Sequence, residues 1–229
     1  MHIGGTCSKL IIMKQPFLFL GCCLLMLTAC AQKENKPVAT DIQVGGSCED
    51  CEAIYECPVR FDSLTMFAWL PDWDENSSKK IAVNGIVYQA DGKTPAPGVV
   101  IYIYHTDQTG IYPKKGDEKG VDKKHGYLRG WMKTNEKGEY KFFTLRPGSY
   151  PQGRNPAHIH AIIKEPGKTP YWIDDFLFDN DPYLTADVRK QLENRGGNGI
   201  LTFYDEASGK SIYKSERHIY LGKNVSGWK

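Results

Sequence analysis

From Lys80 onward the chain alternates apolar and polar residues in short runs that turn residues separate. Alternation with a period of two is typical of strands that bury one face. The runs that predict single strands are KIAVNGIVYQ, VVIYIYHT, AHIHAIIK and YWIDDFLF. Two longer stretches predict hairpins: GWMKTNEKGEYKFFTL, with its turn at Asn135 to Gly138, and GILTFYDEASGKSIYKSERHIYLG. This spacing predicts an all-β domain, an antiparallel β-sandwich over residues 80–229.

One short helix and an N-terminal arm complete the predicted fold. We expect the helix from about Ala186 to Arg195, with Thr185 as its N-cap and Gly196 as its C-cap. Residues 48–79 contain cysteines and many aromatic side chains but show no clear period. We therefore expect this segment to be an arm that lies over the sandwich.

Residues 1–29 have the composition of an export signal. Lys14 precedes the apolar run FLFLGCCLLMLTA, which is too short to span a membrane comfortably. The sequence LTAC resembles a bacterial lipobox, which implies that Cys30 is lipidated and becomes the new N-terminus. The alternative is an ordinary signal peptide with Cys30 uninvolved. Residues 30–47 are then a polar linker.

These features predict a single domain tethered in the cell envelope, facing the periplasm or the surface. It would meet the membrane only through its lipid anchor, since no later stretch is long and apolar enough to cross. The 29 basic and 27 acidic residues are well mixed along the chain. Because there is no basic block or stripe, we expect no nucleic-acid partner.

Three cysteines follow the linker, Cys48, Cys51 and Cys57, with the spacing C-x2-C-x5-C. A zinc site would need a fourth ligand nearby, and no such His or Cys follows. Redox C-x-x-C motifs usually open a helix, whereas Gly-Gly-Ser precedes Cys48. In an exported protein we expect a structural disulfide among the three, and one thiol that stays free or pairs elsewhere.

The segment SYPQGRNPAHIH, residues 149–160, contains the main candidate chemistry. His158 and His160 are two residues apart in a predicted strand, so both imidazoles point to one face. Two tyrosines precede them, Tyr112 in GIYP and Tyr150 in RPGSYP. Phenolate oxygen is a hard anionic donor that favours Fe(III) over Zn(II) or Cu(I). Two phenolates and two imidazoles would leave a fifth coordination position on the metal for hydroxide.

The motifs GIYP, RPGSYP and PAHIH, in this order, resemble the intradiol ring-cleavage dioxygenases, such as protocatechuate 3,4-dioxygenase and catechol 1,2-dioxygenase. The resemblance covers residues 80–221. It implies a ferric ion held by Tyr112, Tyr150, His158 and His160. It also implies a small aromatic ortho-diol and O2 as substrates, with cleavage between the hydroxyls to a muconate-type diacid. In this family the diol displaces the tyrosine nearer the histidines, here Tyr150, which can take a proton from it.

Two positions depart from the family pattern. The family has an arginine directly before Pro-Ala-His-Ile-His, where this chain has Asn155, with Arg154 one residue earlier. A glutamine expected before the FLF segment is replaced by Asp175. A carboxylate there would repel a carboxylated substrate unless Arg154 or a lysine pairs with it. Tyr150, Arg154, Asn155 and Asp175 are therefore the candidate catalytic residues.

Two other interpretations compete with the dioxygenase. HIHAIIKE also fits the first cupin motif, with Glu165 as a ligand, but only His218 lies downstream and its surroundings do not fit the second motif. The first half of the domain also resembles the metal-free β-sandwich modules of carboxypeptidases and outer-membrane transporters, which bind partners or act as spacers. A spacer has no use for two histidines and two placed tyrosines, which favours the dioxygenase interpretation.

Overall fold

The computed structural model describes residues 35–73, 79–205 and 212–229. The expected signal segment, residues 1–29, and the lipidation candidate Cys30 lie outside these residues. Within the described ranges, no helix combines the length and the apolar character that a membrane crossing requires.

The described residues form two packed β-sheets. The strands are β1 (Phe67–Trp69), β2 (Lys80–Tyr88), β3 (Val100–Tyr104), β4 (Arg129–Lys133), β5 (Glu139–Leu145), β6 (His158–Lys164), β7 (Tyr171–Phe178), β8 (Ile200–Leu201), β9 (Tyr204–Asp205), β10 (Ile212–Glu216) and β11 (Ile219–Tyr220). One sheet has the order β1-β5-β2-β10-β9, with β11 also paired to β2. The other has the order β4-β3-β6-β7-β8.

The core lies between the sheets and is built from alternate strand positions. Ile81 and Val83 of β2 and Ile101 and Ile103 of β3 are all at most 1% exposed and belong to one apolar cluster. Full burial of each such side chain stabilises the fold by about 1.5–3 kcal/mol. The predicted β-sandwich is confirmed.

The expectation of a purely antiparallel sandwich is wrong, because both sheets are mixed. β1 runs parallel to β5, β2 runs parallel to β10 and β11, and β7 runs parallel to β8. Alternation of apolar and polar residues decides which face each side chain takes, and it is the same for either strand direction. No short turn joins any of these parallel pairs, so no local signal could reveal their direction.

The predicted hairpin over residues 130–145 is also wrong. β4 pairs with β3 in one sheet, whereas β5 pairs with β2 in the other, so the chain crosses between sheets at this turn. The turn chemistry itself is present: Asn135 Oδ1 accepts hydrogen bonds from the backbone N–H groups of Lys137 and Glu139. A corner between sheets and a hairpin have the same local pattern. The second predicted hairpin forms in part, since β9 and β10 are antiparallel.

The first sheet begins inside the arm. β1 lies along β5 as an edge strand, with Ala68 buried and Phe67 and Trp69 exposed. Val44, in the expected linker, is also buried and donates its N–H to Thr169 Oγ1 at 3.0 Å. Strands of three residues are too short for a periodic signal, so the sequence did not separate this strand from the arm.

The described residues contain two α-helices rather than one, α1 (Asp122–His125) and α2 (Ala186–Gln191), besides 3₁₀ helices at Cys51–Glu56 and Phe61–Ser63. α2 has the expected N-cap, because Thr185 Oγ1 accepts the backbone N–H of Val188 at 3.3 Å. It ends at Gln191 and not at Arg195. The backbone N–H groups of Asn194 and Arg195 bind the buried Asp174 carboxylate instead, so they do not take part in helical hydrogen bonds.

Candidate metal centre

The two histidines of β6 share one face of the strand, as the sequence predicts. Their Nε2 atoms are 3.1 Å apart. Ile159 between them is fully buried in the core, which anchors the strand from its other face. Both imidazoles are half-buried, at the end of β6 where the chain enters the strand.

Tyr112 and Tyr150 come from two loops that lie against each other. Asp107 organises the first loop: its carboxylate accepts the backbone N–H of Ile111, and its carbonyl accepts the backbone N–H of Gly148 from the second. The contact depends on Gly110, where an added Cβ would lie 1.9 Å from the Ser149 carbonyl oxygen. This approach leaves the two tyrosine hydroxyls 2.7 Å apart.

The four donor atoms converge on one point. His160 Nε2 is 2.9 Å from the Tyr112 hydroxyl and 3.4 Å from the Tyr150 hydroxyl. His158 Nε2 is 3.2 Å from the Tyr150 hydroxyl. Ligands about 2.0–2.1 Å from a metal ion lie roughly 2.8–3.4 Å from one another. The spacing of the four donors therefore fits a single metal ion.

Each imidazole presents the correct nitrogen to that point. Nδ1 of His158 donates to the Pro156 carbonyl at 2.7 Å. Nδ1 of His160 donates to Asp175 Oδ1 at 3.0 Å. A protonated Nδ1 leaves the Nε2 lone pair free, which is how metal-binding histidines are commonly oriented.

Asp175 bonds the far side of His160 rather than joining the four donors. His158, His160 and Asp175 could in principle form a group of two histidines and a carboxylate. The Asp175 oxygen, however, meets Nδ1 of His160, and that nitrogen faces away from the other donors. Burial acts to raise the pKa of Asp175, but His160 and its hydrogen bond, with His158 and Arg217, lower it below its ordinary value.

In the protein alone, burial disfavours the charged forms of Tyr112, Tyr150 and His158. Burial, followed by the hydrogen bond with Tyr150, raises the pKa of Tyr112 well above its ordinary value. Burial also raises the pKa of Tyr150 and lowers that of His158. A bound cation would reverse the effect on the phenols, because it stabilises phenolate directly. Two anionic oxygens and two neutral imidazoles suit a hard trivalent ion such as Fe(III).

A cavity of about 610 Å³ opens beside the donors. Tyr150, His158 and His160 line it, together with Asn155 and Asp175. Three of the four candidate catalytic residues, Tyr150, Asn155 and Asp175, therefore reach the cavity. Arg154 is exposed on the preceding loop and does not line it.

The charged residues of the cavity wall, apart from the histidines, are all acidic: Glu49, Asp174, Asp175 and Glu193. A second cavity, of about 860 Å³, is lined by Tyr112 and Tyr150 and has Lys114 and Lys124 on its wall. The two cavities therefore differ in charge and meet at Tyr150.

Sequence reasoning missed Tyr104, which packs on a candidate ligand. Tyr104 pairs with His160 across β3 and β6, and the two rings stack with centroids 4.5 Å apart. The other neighbour of Tyr104 is His125, with ring centroids 3.5 Å apart. Only the strand order could reveal this contact, because the sequence does not say that β3 lies beside β6.

The cysteine arm borders the first cavity. Cys48 and Cys51 form a disulfide with a Cα–Cα distance of 5.6 Å, and Cys57 is a free thiol. Burial raises the pKa of the Cys57 thiol. Trp172, on the cavity wall, donates its indole N–H to the Ser47 carbonyl at 3.3 Å. The disulfide therefore braces a segment at the cavity rim.

The structure gives the cupin interpretation no support. Glu165 is buried away from the histidine pair, where it accepts hydrogen bonds from Tyr171 and Trp228. His218 Nδ1 accepts the backbone N–H of Ile86 at 3.2 Å. Neither residue contributes to the four-donor cluster.

Comparison with known proteins identifies the family of the chain. The family model described as dioxygenase matches residues 64–209, more than half of the chain. The protocatechuate 3,4-dioxygenase beta chain of Burkholderia cepacia is 28% identical over 119 residues, covering 49% of this chain and 50% of that protein. Catechol 1,2-dioxygenase 1 of Acinetobacter lwoffii is 28% identical over 144 residues, covering 52% and 45%. The chain spans about half the length of these curated relatives.

Solved structures show the same fold. The 3-chlorocatechol 1,2-dioxygenase of Rhodococcus opacus 1CP has a TM-score of 0.53 at 19% identity, covering 66% of this chain and 63% of that one. At this identity the likeness concerns the fold alone. The extent of the family match shows that the protein belongs to the dioxygenase family of intradiol ring-cleavage enzymes.

Proposed function

We propose that the protein is a non-haem Fe(III) dioxygenase that uses O2 to cleave a small aromatic ortho-diol between its hydroxyls, giving a muconate-type diacid. The convergence of Tyr112, Tyr150, His158 and His160 on one point carries this proposal. Two phenolates offset two of the three charges of Fe(III), and the imidazoles complete a donor set that suits it. The relatives named as catechol and protocatechuate dioxygenases support the reaction class.

Each side chain has a separate task in this reaction. Bound to the four donors, Fe(III) supplies a Lewis acid that draws electron density from the diolate. Tyr150 lines the cavity and both histidines lie within 3.4 Å of its oxygen, so its phenolate can accept a proton from an entering diol hydroxyl. The carbonyl of Pro156 and the carboxylate of Asp175 keep the two imidazoles in the ligating tautomer.

The first cavity suits a single aromatic ring. Its volume falls within the range of small-molecule sites. Asn155 offers neutral hydrogen-bonding groups on its wall, and the carboxylates around it disfavour an anionic ring substituent. We therefore propose an uncharged diol in preference to a carboxylated one.

The first experiment is a visible absorption spectrum of the purified protein reconstituted with Fe(III), before and after catechol is added without oxygen. Phenolate bound to Fe(III) gives a charge-transfer band. Tyr112→Phe and Tyr150→Phe should each alter this band. Tyr204→Phe is the matched control, because Tyr204 is 54% exposed and lies in the other sheet.

The outcomes separate the interpretations. A coloured protein whose band shifts with catechol supports an iron site with an open substrate position, and oxygen uptake over a panel of diols then tests turnover. A protein that stays colourless after reconstitution refutes the proposal and favours the metal-free spacer module.

We also propose that Cys30 carries a lipid that tethers the domain in the cell envelope. The apolar run that ends at LTAC supports this placement. The Cys48–Cys51 disulfide agrees with an oxidising compartment. Metabolic labelling with a radioactive fatty acid should mark the full-length protein and not its Cys30→Ala variant; equal labelling of the two would refute the anchor.

A further inference from the structure

A β-bulge places Asp175 beside His160. In the register of β6 with β7, Ile159 pairs with Phe176 and Ala161 pairs with Ile173. His160 therefore stands opposite two residues, Asp174 and Asp175. A bulge of this kind re-aims side chains on the longer strand.

The two aspartates take different partners. Asp174 turns to the backbone N–H groups of Asn194 and Arg195, at 2.7 Å and 3.1 Å. Asp175 turns to Nδ1 of His160 at 3.0 Å. Of the two aspartates, only Asp175 therefore forms a hydrogen bond with a candidate metal ligand.

We infer that Asp175 is a positioning residue that holds His160 in the ligating tautomer and, through its negative charge, makes His160 a stronger donor to the metal. This inference rests on the proposed function, since it concerns a ligand of the proposed iron. Tyr104 stacks on the face of the same ring. The His160 imidazole is therefore held at its edge by Asp175 and on its face by Tyr104.

The negative charge of Asp175 is what distinguishes it from an amide side chain at the same position. An asparagine or glutamine oxygen could accept the same hydrogen bond, but a carboxylate also polarises the imidazole toward its anionic form and increases its donor strength. The site then favours the more highly charged state of the metal, Fe(III) over Fe(II).

A buried cation behind Asp175 stabilises that charge. Arg217 is 3% exposed, and none of its side-chain nitrogens has a hydrogen-bond partner among the described residues. Its guanidinium lies over the ring of Phe176, at 4.3 Å from the centroid, next to Asp175 in β7. Because the guanidinium has no hydrogen-bond partner among the described residues, its field remains available to the carboxylates of Asp174 and Asp175.

The test compares Asp175→Asn, Asp175→Leu and a matched control, Asp187→Asn. The asparagine keeps the hydrogen-bond acceptor and removes the charge, whereas the leucine removes both. Asp187→Asn removes an exposed carboxylate of α2 that does not line the cavity and that pairs with Lys190.

Two measurements are made on each protein. The ¹⁵N chemical shifts of His160 in the metal-free protein report its tautomer, and a titration with Fe(III), followed by the charge-transfer band, reports affinity and band position. We expect Asp175→Asn to keep the Nδ1–H tautomer, to bind Fe(III) about 10- to 100-fold more weakly and to shift the band to lower energy. Asp175→Leu should also lose the single tautomer, and Asp187→Asn should match the wild type in both measurements.

Two results would overturn the inference. An Asp175→Asn protein with the affinity and band of the wild type shows that the charge does not act through His160. A single Nδ1–H tautomer in Asp175→Leu shows that Asp175 does not position the ring. A colourless wild-type protein instead refutes the proposed function, and the ¹⁵N shifts of the metal-free proteins still decide whether Asp175 positions His160.

Discussion

Replacement of Gly110 by alanine should separate the two candidate tyrosine ligands. Gly110 has φ +83°, and an added Cβ would lie 1.9 Å from the Ser149 carbonyl oxygen, next to Tyr150. The obstacle is backbone and cannot rotate away as the end of a side chain could. The loop that carries Tyr112 must therefore move. This movement should increase the distance between the Tyr112 and Tyr150 hydroxyls, which is 2.7 Å in the wild type.

Gly116 provides the matched control for this substitution. It has φ +99° and nothing within 4 Å of an added Cβ. Alanine in a left-handed conformation costs about 1–2 kcal/mol at either position. At Gly110 the displaced loop also loses the hydrogen bond from Gly148 N–H to the Asp107 carbonyl, worth about 0.5–1.5 kcal/mol. We expect Gly110→Ala to lower the free energy of unfolding by about 1.5–3.5 kcal/mol, and Gly116→Ala by about 1–2 kcal/mol.

The assay combines urea unfolding of the metal-free proteins with the Fe(III) charge-transfer band. Gly116→Ala should keep the band of the wild type, whereas Gly110→Ala should weaken or lose it. If Gly110→Ala were as stable as Gly116→Ala and had an unchanged band, the close approach of the two loops would not determine the tyrosine geometry.

Three further predictions concern pH, the core and substrate charge. Burial lowers the pKa of His105 and of His125 from 6.5 to about 4, so in this range the unfolded chain binds protons that the folded chain does not. The free energy of unfolding of the metal-free protein should fall as the pH drops from 6.5 toward 4, by up to about 1.4 kcal/mol per pH unit for each histidine. Urea unfolding of His105→Gln should show a smaller pH dependence. A pH dependence equal to that of the wild type would contradict the lowered pKa of His105. Ile159→Ala should lower the free energy of unfolding by about 2–5 kcal/mol and Ile159→Val by about 0.5–1.5 kcal/mol, and equal losses in a urea titration would contradict the tight packing behind the histidines. In anaerobic titrations of the iron-loaded protein, catechol should bind more tightly than a carboxylated diol, and the double substitution Glu49→Gln with Glu193→Gln should narrow this difference; tighter binding of the carboxylated diol would instead assign the substrate to the lysine-lined cavity.

The local features of the candidate site could be predicted from the sequence. The spacing of His158 and His160 indicates a shared face because successive side chains of a strand alternate. Thr185 has the side chain that an N-cap requires, and it does cap α2. In each case the cause lies within a few residues, so the sequence pattern contains it.

The role of Asp175 could not be predicted in this way. The structure places Asp175 on the cavity wall, as the sequence suggests, but it also pairs the carboxylate with Nδ1 of His160, which the sequence does not indicate. That contact depends on the bulge between β6 and β7, which arises from how two strands align over their full length. The contact of Tyr104 with His160 likewise depends on the neighbouring positions of β3 and β6.

The sequence by itself therefore determined most of the longer strands, their buried faces, and the order of the tyrosine and histidine motifs. Only the tertiary structure decided that β4 and β5 lie in different sheets, that four strand pairs are parallel, and that the loops of Tyr112 and Tyr150 touch. The physical reason is that periodicity follows from the geometry of a single strand. Strand partners and directions instead follow from the packing of segments far apart in the chain, which a local pattern does not record.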